Sequence, residues 1–372
     1  MTEVINYLSV KILVALSGGI DSAVVAHLLK EQGHELVAVR FTLWSDPLAP
    51  ALAEILPSKC CNAQTASRAA AVARELQIPY HVIDLEADFK REVVDPYLEA
   101  HRRGETPNPC IRCNRTMKFG RLLEVMKEYD CEKIATGHYA RTARERLPDD
   151  SERLLLLQAT DAKKDQSYYL YGLTQEQLSV AVFPLGAMQK SEVFALAEHY
   201  GVPHDEYYRE SQDLCFFPER TPEQFLRRHL SADLRPGEIV RRDGTVVGEH
   251  DGLALYTVGQ RRGLGVGGLK IPLEVVAKDP MQNRLIVADR ESEQTTEITL
   301  EDLHWISWRP DEDEEALFSA RLRSLSAPVA GRLQQRGKSG IFRFEVPQGP
   351  QAAGQHLVFY RGDEVVGGGR IA

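Results

Sequence analysis

Ser17-Gly18-Gly19-Ile20-Asp21-Ser22 lies between an apolar run, residues 10–16 (VKILVAL), and a helix-like run, residues 23–30 (AVVAHLLK). A buried parallel strand feeding a tight glycine turn and then a helix predicts an α/β fold. The two glycines let the backbone turn sharply, so that successive N–H groups and the helix N-terminus behind them face an anion. The spacing differs from the lysine-bearing Walker loop and from the GxGxxG dinucleotide fingerprint. Taken alone, Ser-Gly-Gly is no more than a strand-to-helix turn; strand, loop and helix in sequence favour nucleotide binding.

Outward from this loop, strand and helix alternate. Residues 35–42 and 80–85 read as strands, residues 66–76 as an alanine-rich helix, and 115–129 as an amphipathic helix. Residues 133–136 form a short strand ending in Gly137-His138. Alternation of this kind predicts a doubly wound parallel sheet with its site at the carboxyl ends of the strands, where both Ser17-Gly18-Gly19 and Gly137-His138 fall. Residues 141–158 read as a hairpin, and 175–180 and 190–200 as helices. Beyond residue 222 come short apolar runs split by Pro and Gly: 237–241, 245–248, 254–258, 274–278, 285–288, 340–346, 355–360 and 364–371. These predict a small β-rich central domain and then a C-terminal β-barrel, with segment boundaries 1–220, 221–280 and 281–372.

The chain has 372 residues, 43% hydrophobic and 27% charged, with a formal net charge of −9. Such a composition fits a globular protein of two or three domains and excludes a disordered or fibrous chain. No apolar stretch is long enough for a bilayer, and the N-terminal residues lack a secretory pattern. The expectation is a cytoplasmic, monomeric protein without a membrane partner. The acidic balance argues against indiscriminate coating of nucleic acid but leaves local faces open. Arg102, Arg103, Arg112, Arg115, Lys118 and Arg121 crowd one stretch in which Glu105 is the only acid, a candidate backbone-binding face. Gly259-Gln260-Arg261-Arg262-Gly263-Leu264-Gly265 reads as a turn with a basic tip rather than a phosphate loop.

Six cysteines in a chain this long do not make a disulfide scaffold. Cys110 and Cys113 sit in the stiff segment Thr106-Pro107-Asn108-Pro109-Cys110-Ile111-Arg112-Cys113-Asn114, and Cys215 stands alone in Ser211-Gln212-Asp213-Leu214-Cys215-Phe216-Phe217. Placed just before the helix 115–129 and near several cations, Cys113 is expected to be a reactive thiol. Zinc lacks a second CxxC or CxxH pair. Sulfur or redox chemistry needs two thiols able to meet, and Cys113 with Cys215 is the candidate pair. Cys131 reads as an inert core thiol.

SGGIDS, TPNPCIRCN, ATGHYAR, KKDQSYYLYGL, SQDLCFF and the closing GGGRI occur in order from residue 10 to the end. With them the chain resembles the tRNA-specific 2-thiouridylases, members of the ATP pyrophosphatase group with its PP-loop. The resemblance implies an ATP-dependent sulfurtransferase that replaces the C2 oxygen of the wobble uridine of tRNAs for Lys, Glu and Gln. It implies ATP binding at Ala15, Leu16, Ser17, Gly18, Gly19, Ile20, Asp21 and Ser22, with Leu43 and Gly137. Asp21 is placed either to hold Mg²⁺ or to cap the helix. Cys113 takes the nucleophile position, Cys215 the persulfide-carrying position, and His138 a position important for activity. The tRNA-contacting positions are Asn108, Pro109, Cys110, Lys164, Asp165, Gln166, Arg321, Leu322 and Gln355. Some relatives carry aspartate where this chain has Cys110. A sulfur donor protein, either a cysteine desulfurase or a sulfur-relay protein, is the implied partner of Cys215.

Three other readings carry distinct tests. Cys110, Cys113 and Cys215 as ligands of an iron–sulfur cluster would deliver sulfide. An amide-forming ligase of the same nucleotide-binding group would tolerate cysteine substitution. A non-catalytic ATP-sensing or RNA-binding module would release no pyrophosphate.

Overall fold

The computed structural model describes residues 9–50, 63–203, 214–219, 221–267, 271–289, 292–312 and 314–372. Cys60 and Cys61 lie outside these. The chain forms two compact units, one of Met1–Glu92, Cys110–Pro218 and Asp363–Val365, the other of Val93–Pro109, Glu219–Gly362 and Val366–Ala372.

The first unit is built on β1 (Lys11–Ala15), β2 (Glu35–Thr42), β3 (Tyr80–Asp84), β4 (Lys133–Ala135) and β5 (Ala181–Val182), in the order β3-β2-β1-β4-β5. All four pairings are parallel. Alternate side chains explain why helices cover both faces. Ile12 and Val14 pack with Val24, Val25 and Ala69 of α1 (Ile20–Glu31) and α2 (Ala63–Glu75), while Leu13, Val37 and Ile134 pack with Leu122, Val125 and Met126 of α3 (Phe119–Glu128). Burial on both faces selects the continuous apolar strands seen in the sequence. Order reverses between β1 and β4, and the crevice at their carboxyl ends is where ligands of doubly wound sheets bind. The predicted hairpin forms as Arg141–Arg146 paired with Glu152–Leu157, and Leu156 and Leu157 pair onward with Val365 and Glu364.

The second unit contains a four-stranded sheet made of Gly237–Arg241, Val246–His250, Leu273–Asp279 and Arg284–Asp289 around Ile239, Val275, Leu285 and Val287. Further on, Thr295–Trp305, Ser339–Gln348, Val329–Arg336, Glu315–Arg321, His356–Arg361 and Glu364–Ile371 follow one another, and the last pairs back with the first. This closes a six-strand barrel filled by Leu300, Phe318, Phe342, Leu357 and Phe359, and closure removes the free edges. Trp305 stacks on Phe359 and donates to Gln335, so it is a packing residue.

Two local expectations fail. Residues 254–258 are not a strand: Leu253–Leu255 is a single 3₁₀ turn, because Gly252 at φ +151° breaks the extended chain ahead of it. The helix expected at residue 115 begins earlier, at Pro109. Pro109–Arg112 runs through a π-helical turn, Cys113–Lys118, into α3. Proline at a first helical position loses no hydrogen bond, so the Pro-rich segment starts the helix rather than preceding it.

Candidate active site

At the carboxyl ends of β1, β2 and β4 lies a cavity of about 350 Å³, within the range of about 300–1,000 Å³ common to small-molecule sites. Ala15, Leu16, Ser17, Gly19, Asp21 and Ser22 line it, with Leu43, Gly137, His138, Lys164, Gln166 and Cys215. Residues from five separate sequence segments named above therefore meet on one surface. Two members of the loop serve it from behind. Ile20 is buried in the core. Gly18, at φ +85°, would drive a Cβ to 2.0 Å from the Thr65 carbonyl oxygen, a conformation and a contact that only glycine tolerates.

The loop is held by its own hydroxyls and by one residue the sequence did not single out. Ser22 Oγ donates to the Gly19 carbonyl at 3.0 Å, and Ser17 N–H donates to Ser22 Oγ at 3.2 Å. Buried Arg40 donates to the Ser17 carbonyl and to Thr65 Oγ1. With the carbonyls engaged, the N–H groups of Ile20, Asp21 and Ser22 open α1 without an intrahelical acceptor. Gly137 closes the opposite wall, where a Cβ would lie 3.0 Å from Asp21 Cβ. Arg40, Lys118 and Lys164 line the cavity, against Asp21 as its sole carboxylate among the described residues. Open amides and cations around a strand-end crevice fit a polyphosphate.

Asp21 does not cap α1, whose N-cap is Gly19 without a side-chain bond. Its Oδ1 accepts from Tyr139 Oη at 2.9 Å and from Lys190 Nζ at 2.6 Å. Lys190 is itself buried, with its ammonium 4.9 Å from the Phe194 ring centroid and 5.4 Å from that of Tyr139. Sequence reasoning missed Lys190 because it opens an ordinary helix, Lys190–His199, far along the chain from the loop. For Mg²⁺, one carboxylate completed by substrate phosphates is a usual ligand set. Among the described residues no group of three or more His, Cys, Asp or Glu is placed to hold a metal ion.

His138 accepts or donates at Nδ1 to Thr136 Oγ1 at 2.8 Å and packs against the rings of Phe119 and Phe183. Burial drives its pKa well below the ordinary histidine value, and Lys118 pushes the same way. A neutral imidazole at physiological pH can donate and accept hydrogen bonds but supplies no charge. Cys215 lines the cavity, anchored by Phe216 and Phe217, which are buried. Phe216 packs against Phe89, and its carbonyl accepts from the Asp46 N–H.

Cys113 is buried at the start of the π-helical turn and does not line the cavity; Lys118, at the end of that turn, does. Its neighbour Asn114 is fixed to the Tyr169 carbonyl at 3.1 Å. Single π turns inside helices recur at functional positions. Among the described residues, Cys110, Cys113, Cys131 and Cys215 form no disulfide with one another. Burial raises the pKa of Cys110, partly offset by Lys118, which keeps it a protonated thiol and unsuited to act as a base.

The remaining positions expected to contact tRNA divide. Lys164 and Gln166 face the cavity, but the Asp165 carboxylate is buried and accepts from Ala159 N, Ser167 N and Ser167 Oγ, a turn-building role. In the second unit, Leu322 and Gln355 line a cavity of about 300 Å³, and Gln355 Nε2 donates to the Thr106 carbonyl at 2.7 Å. That bond fixes the start of the segment bearing Asn108 and Pro109. Arg321 lies over the Tyr360 ring and donates to the Ser324 carbonyl. The predicted basic face is largely neutralised. Arg102 pairs with Asp233 and Glu99, Arg103 with Glu105, Arg112 with Glu92, and Arg121 with Asp88 and Glu124. Acids distant in sequence fold onto the stretch.

A parallel sheet in this order with a phosphate-type cradle at its reversal point defines an adenine-nucleotide-binding α/β domain of the PP-loop kind. Residues 10–219 match the family model described as a tRNA methyl transferase HUP domain, 223–289 its PRC-barrel domain, and 295–371 an aminomethyltransferase beta-barrel domain. A tRNA-specific 2-thiouridylase MnmA of Symbiobacterium thermophilum is 40% identical over 97% of this chain and 92% of its own. One of Caldanaerobacter subterraneus subsp. tengcongensis is 41% identical over 97% of each. The chain belongs to the tRNA-specific 2-thiouridylase family.

Proposed function

We propose that the protein is an ATP-dependent tRNA sulfurtransferase that makes 2-thiouridine at the wobble position of tRNAs for Lys, Glu and Gln. The observation that carries this reading is the meeting of the cradle at residues 17–22 and the Cys215 thiol on one cavity. ATP is a substrate, held by the loop amides, Arg40 and the glycine walls; Asp21 would hold Mg²⁺, which would neutralise phosphate charge when bound. The uridine, turned out of its stack, presents its C2 oxygen to the α-phosphorus. Attack there releases pyrophosphate, whose growing charge the loop amides and cations stabilise.

The adenylated oxygen is now a leaving group. A persulfide on Cys215, loaded by a sulfur donor protein, attacks C2 through its terminal sulfur, and AMP departs with the oxygen. The base is then joined to Cys215 through two sulfurs. The Cys113 thiolate attacks the Cys215 sulfur, the product leaves as 2-thiouridine, and a Cys113–Cys215 disulfide remains for an external dithiol to reduce. Alternatively, Cys113 attacks the persulfide first and hydrosulfide is the species that meets C2. Both thiols belong to the same compact unit. His138 and Gln166 orient the base and nucleotide, and neutral Cys110 donates a hydrogen bond to the base.

Cys113→Ser and Cys215→Ser are each expected to abolish 2-thiouridine formation while ATP still binds, read by nucleoside mass spectrometry and by nucleotide titration. Full thiolation by either variant rejects the assignment.

A further inference from the structure

Thr136 follows β4 directly and lines the cavity beside Gly137 and His138. It is buried, and its backbone N–H donates to the Val182 carbonyl of β5 at 3.2 Å. The sheet thus fixes the backbone of Thr136, and its hydroxyl acts on the residue two places later. Oγ1 accepts from the His138 backbone N–H at 3.4 Å and lies 2.8 Å from His138 Nδ1.

These two contacts decide where the imidazole carries its proton. Burial keeps the ring neutral, so there is one ring proton to place, on Nδ1 or on Nε2. If Nδ1 carried it, Oγ1 would accept twice. The hydroxyl's own proton, on a buried residue, would then find no acceptor among the described residues. Buried polar groups are nearly always satisfied. When the hydroxyl instead donates to the Nδ1 lone pair, both groups are satisfied and the ring proton sits on Nε2.

Nε2 has no hydrogen-bond partner among the described residues, yet it is not sealed away as Nε2 of His27 and of His101 are. It therefore opens on the cavity that His138 lines. The Phe119 and Phe183 rings, with centroids 5.7 Å and 6.3 Å from that of the imidazole, hold the ring from its sides. Aromatic walls suit a flat base, whereas the open amides beside Arg40 suit phosphates.

We propose that Thr136 is a positioning residue: its hydroxyl donates to His138 Nδ1, holds the imidazole in the Nε2–H tautomer, and so makes His138 a hydrogen-bond donor to a carbonyl oxygen of the bound pyrimidine. With its lone pair engaged by Thr136, His138 has nothing with which to take a proton and is no general base. The inference rests on the proposed uridine substrate and adds the residue that sets the donor.

The tautomer is read by proton–nitrogen NMR on the full-length protein carrying isotopically labelled histidine, with His138 assigned by its loss in His138→Gln. The expected result is a proton on Nε2 and none on Nδ1; a proton on Nδ1 overturns the proposal. This readout needs neither tRNA nor turnover. Thr136→Val should mix the tautomers and lower kcat for 2-thiouridine formation by about tenfold, the worth of one hydrogen bond. KM for ATP should not change, and Thr136→Ser should keep the tautomer and most of the rate. Wild-type kcat in Thr136→Val, or a loss confined to KM for ATP, overturns the proposal. So does a limb of the pH–rate profile that rises with pH and disappears in His138→Gln, the mark of a general base. If Thr136→Val does not fold, the wild-type tautomer and Thr136→Ser decide. Wild-type protein with its proton on Nε2 that makes no 2-thiouridine would undo the proposed function, and with it the pyrimidine as acceptor, but not the hold of Thr136 on the ring.

Discussion

The strand-end cavity of the first unit and the groove beside the 259–265 turn of the second both carry positive charge, but by different means. In the cavity, open backbone amides of one tight loop stand beside the cations Arg40, Lys118 and Lys164. Its charge is local, walled by Leu16, Val39, Phe41 and Leu122, and strengthened by the low dielectric of that wall. In the groove the charge comes from exposed side-chain guanidinium groups, which water and salt reach. The difference teaches what each region can do. A walled site with fixed amides stabilises charge that develops during reaction, whereas an open site with mobile charges contributes affinity and register.

The largest effect should come from breaking the cradle. Gly18→Ala places a Cβ against the Thr65 carbonyl and forces a side chain into a left-handed backbone. Displacement of the loop amides is expected to lower thiolation by about 10²-fold or more, with tRNA affinity preserved. Loss of tRNA binding with intact ATP use would invert the comparison. A smaller loss is expected from Lys190→Met, which leaves Asp21 with Tyr139 alone. The account predicts kcat/KM for ATP reduced by about tenfold to 10²-fold, a rate effect of the size a single electrostatic partner supplies. A raised Mg²⁺ requirement should accompany it, and Lys190→Arg should recover part of the rate. A variant that only melts earlier, with unchanged kinetics, would make Lys190 a packing residue.

The smallest effect concerns pH and compares the two units. Burial lowers His101 and His356 of the second unit to about 4, and lowers His27 and His138 of the first. Each is neutral when folded and takes a proton more readily when unfolded. Between the unfolded value near 6.5 and the lower folded value, the unfolded chain binds more protons, so stability falls as pH falls through that window. Thermal melting between pH 7.5 and pH 5 should show a falling midpoint. Replacing His101 by Phe should flatten that fall; a midpoint independent of pH would contradict the assignment of these histidines as buried and neutral.

Much of the first unit was legible because its signals are local. The strand at 10–16, the turn at 17–22 and the Gly137-His138 edge each announce themselves within a few residues. Their convergence then follows from the topology of a parallel sheet. Cys215 was legible only through the company of other motifs, since a lone cysteine carries no periodicity. What escaped were contacts made across the chain. Lys190 reaches Asp21 from 169 residues away. The acids Asp88, Glu92 and Asp233 cancel an arginine cluster that looks bare in sequence. Cys113 was misplaced relative to its helix because the prolines around it read as a loop, when one of them begins the helix.

The central claim is that ATP activation and sulfur delivery from Cys215 occur at one cavity. The most direct measurement is a single turnover with an isotopically labelled persulfide carried on Cys215, ATP and unmodified tRNA, without added reductant. The account predicts labelled 2-thiouridine, one AMP for each base thiolated, and a Cys113–Cys215 disulfide in the spent protein. AMP formed without transfer of the label, or thiolation with both cysteines still reduced, would contradict it.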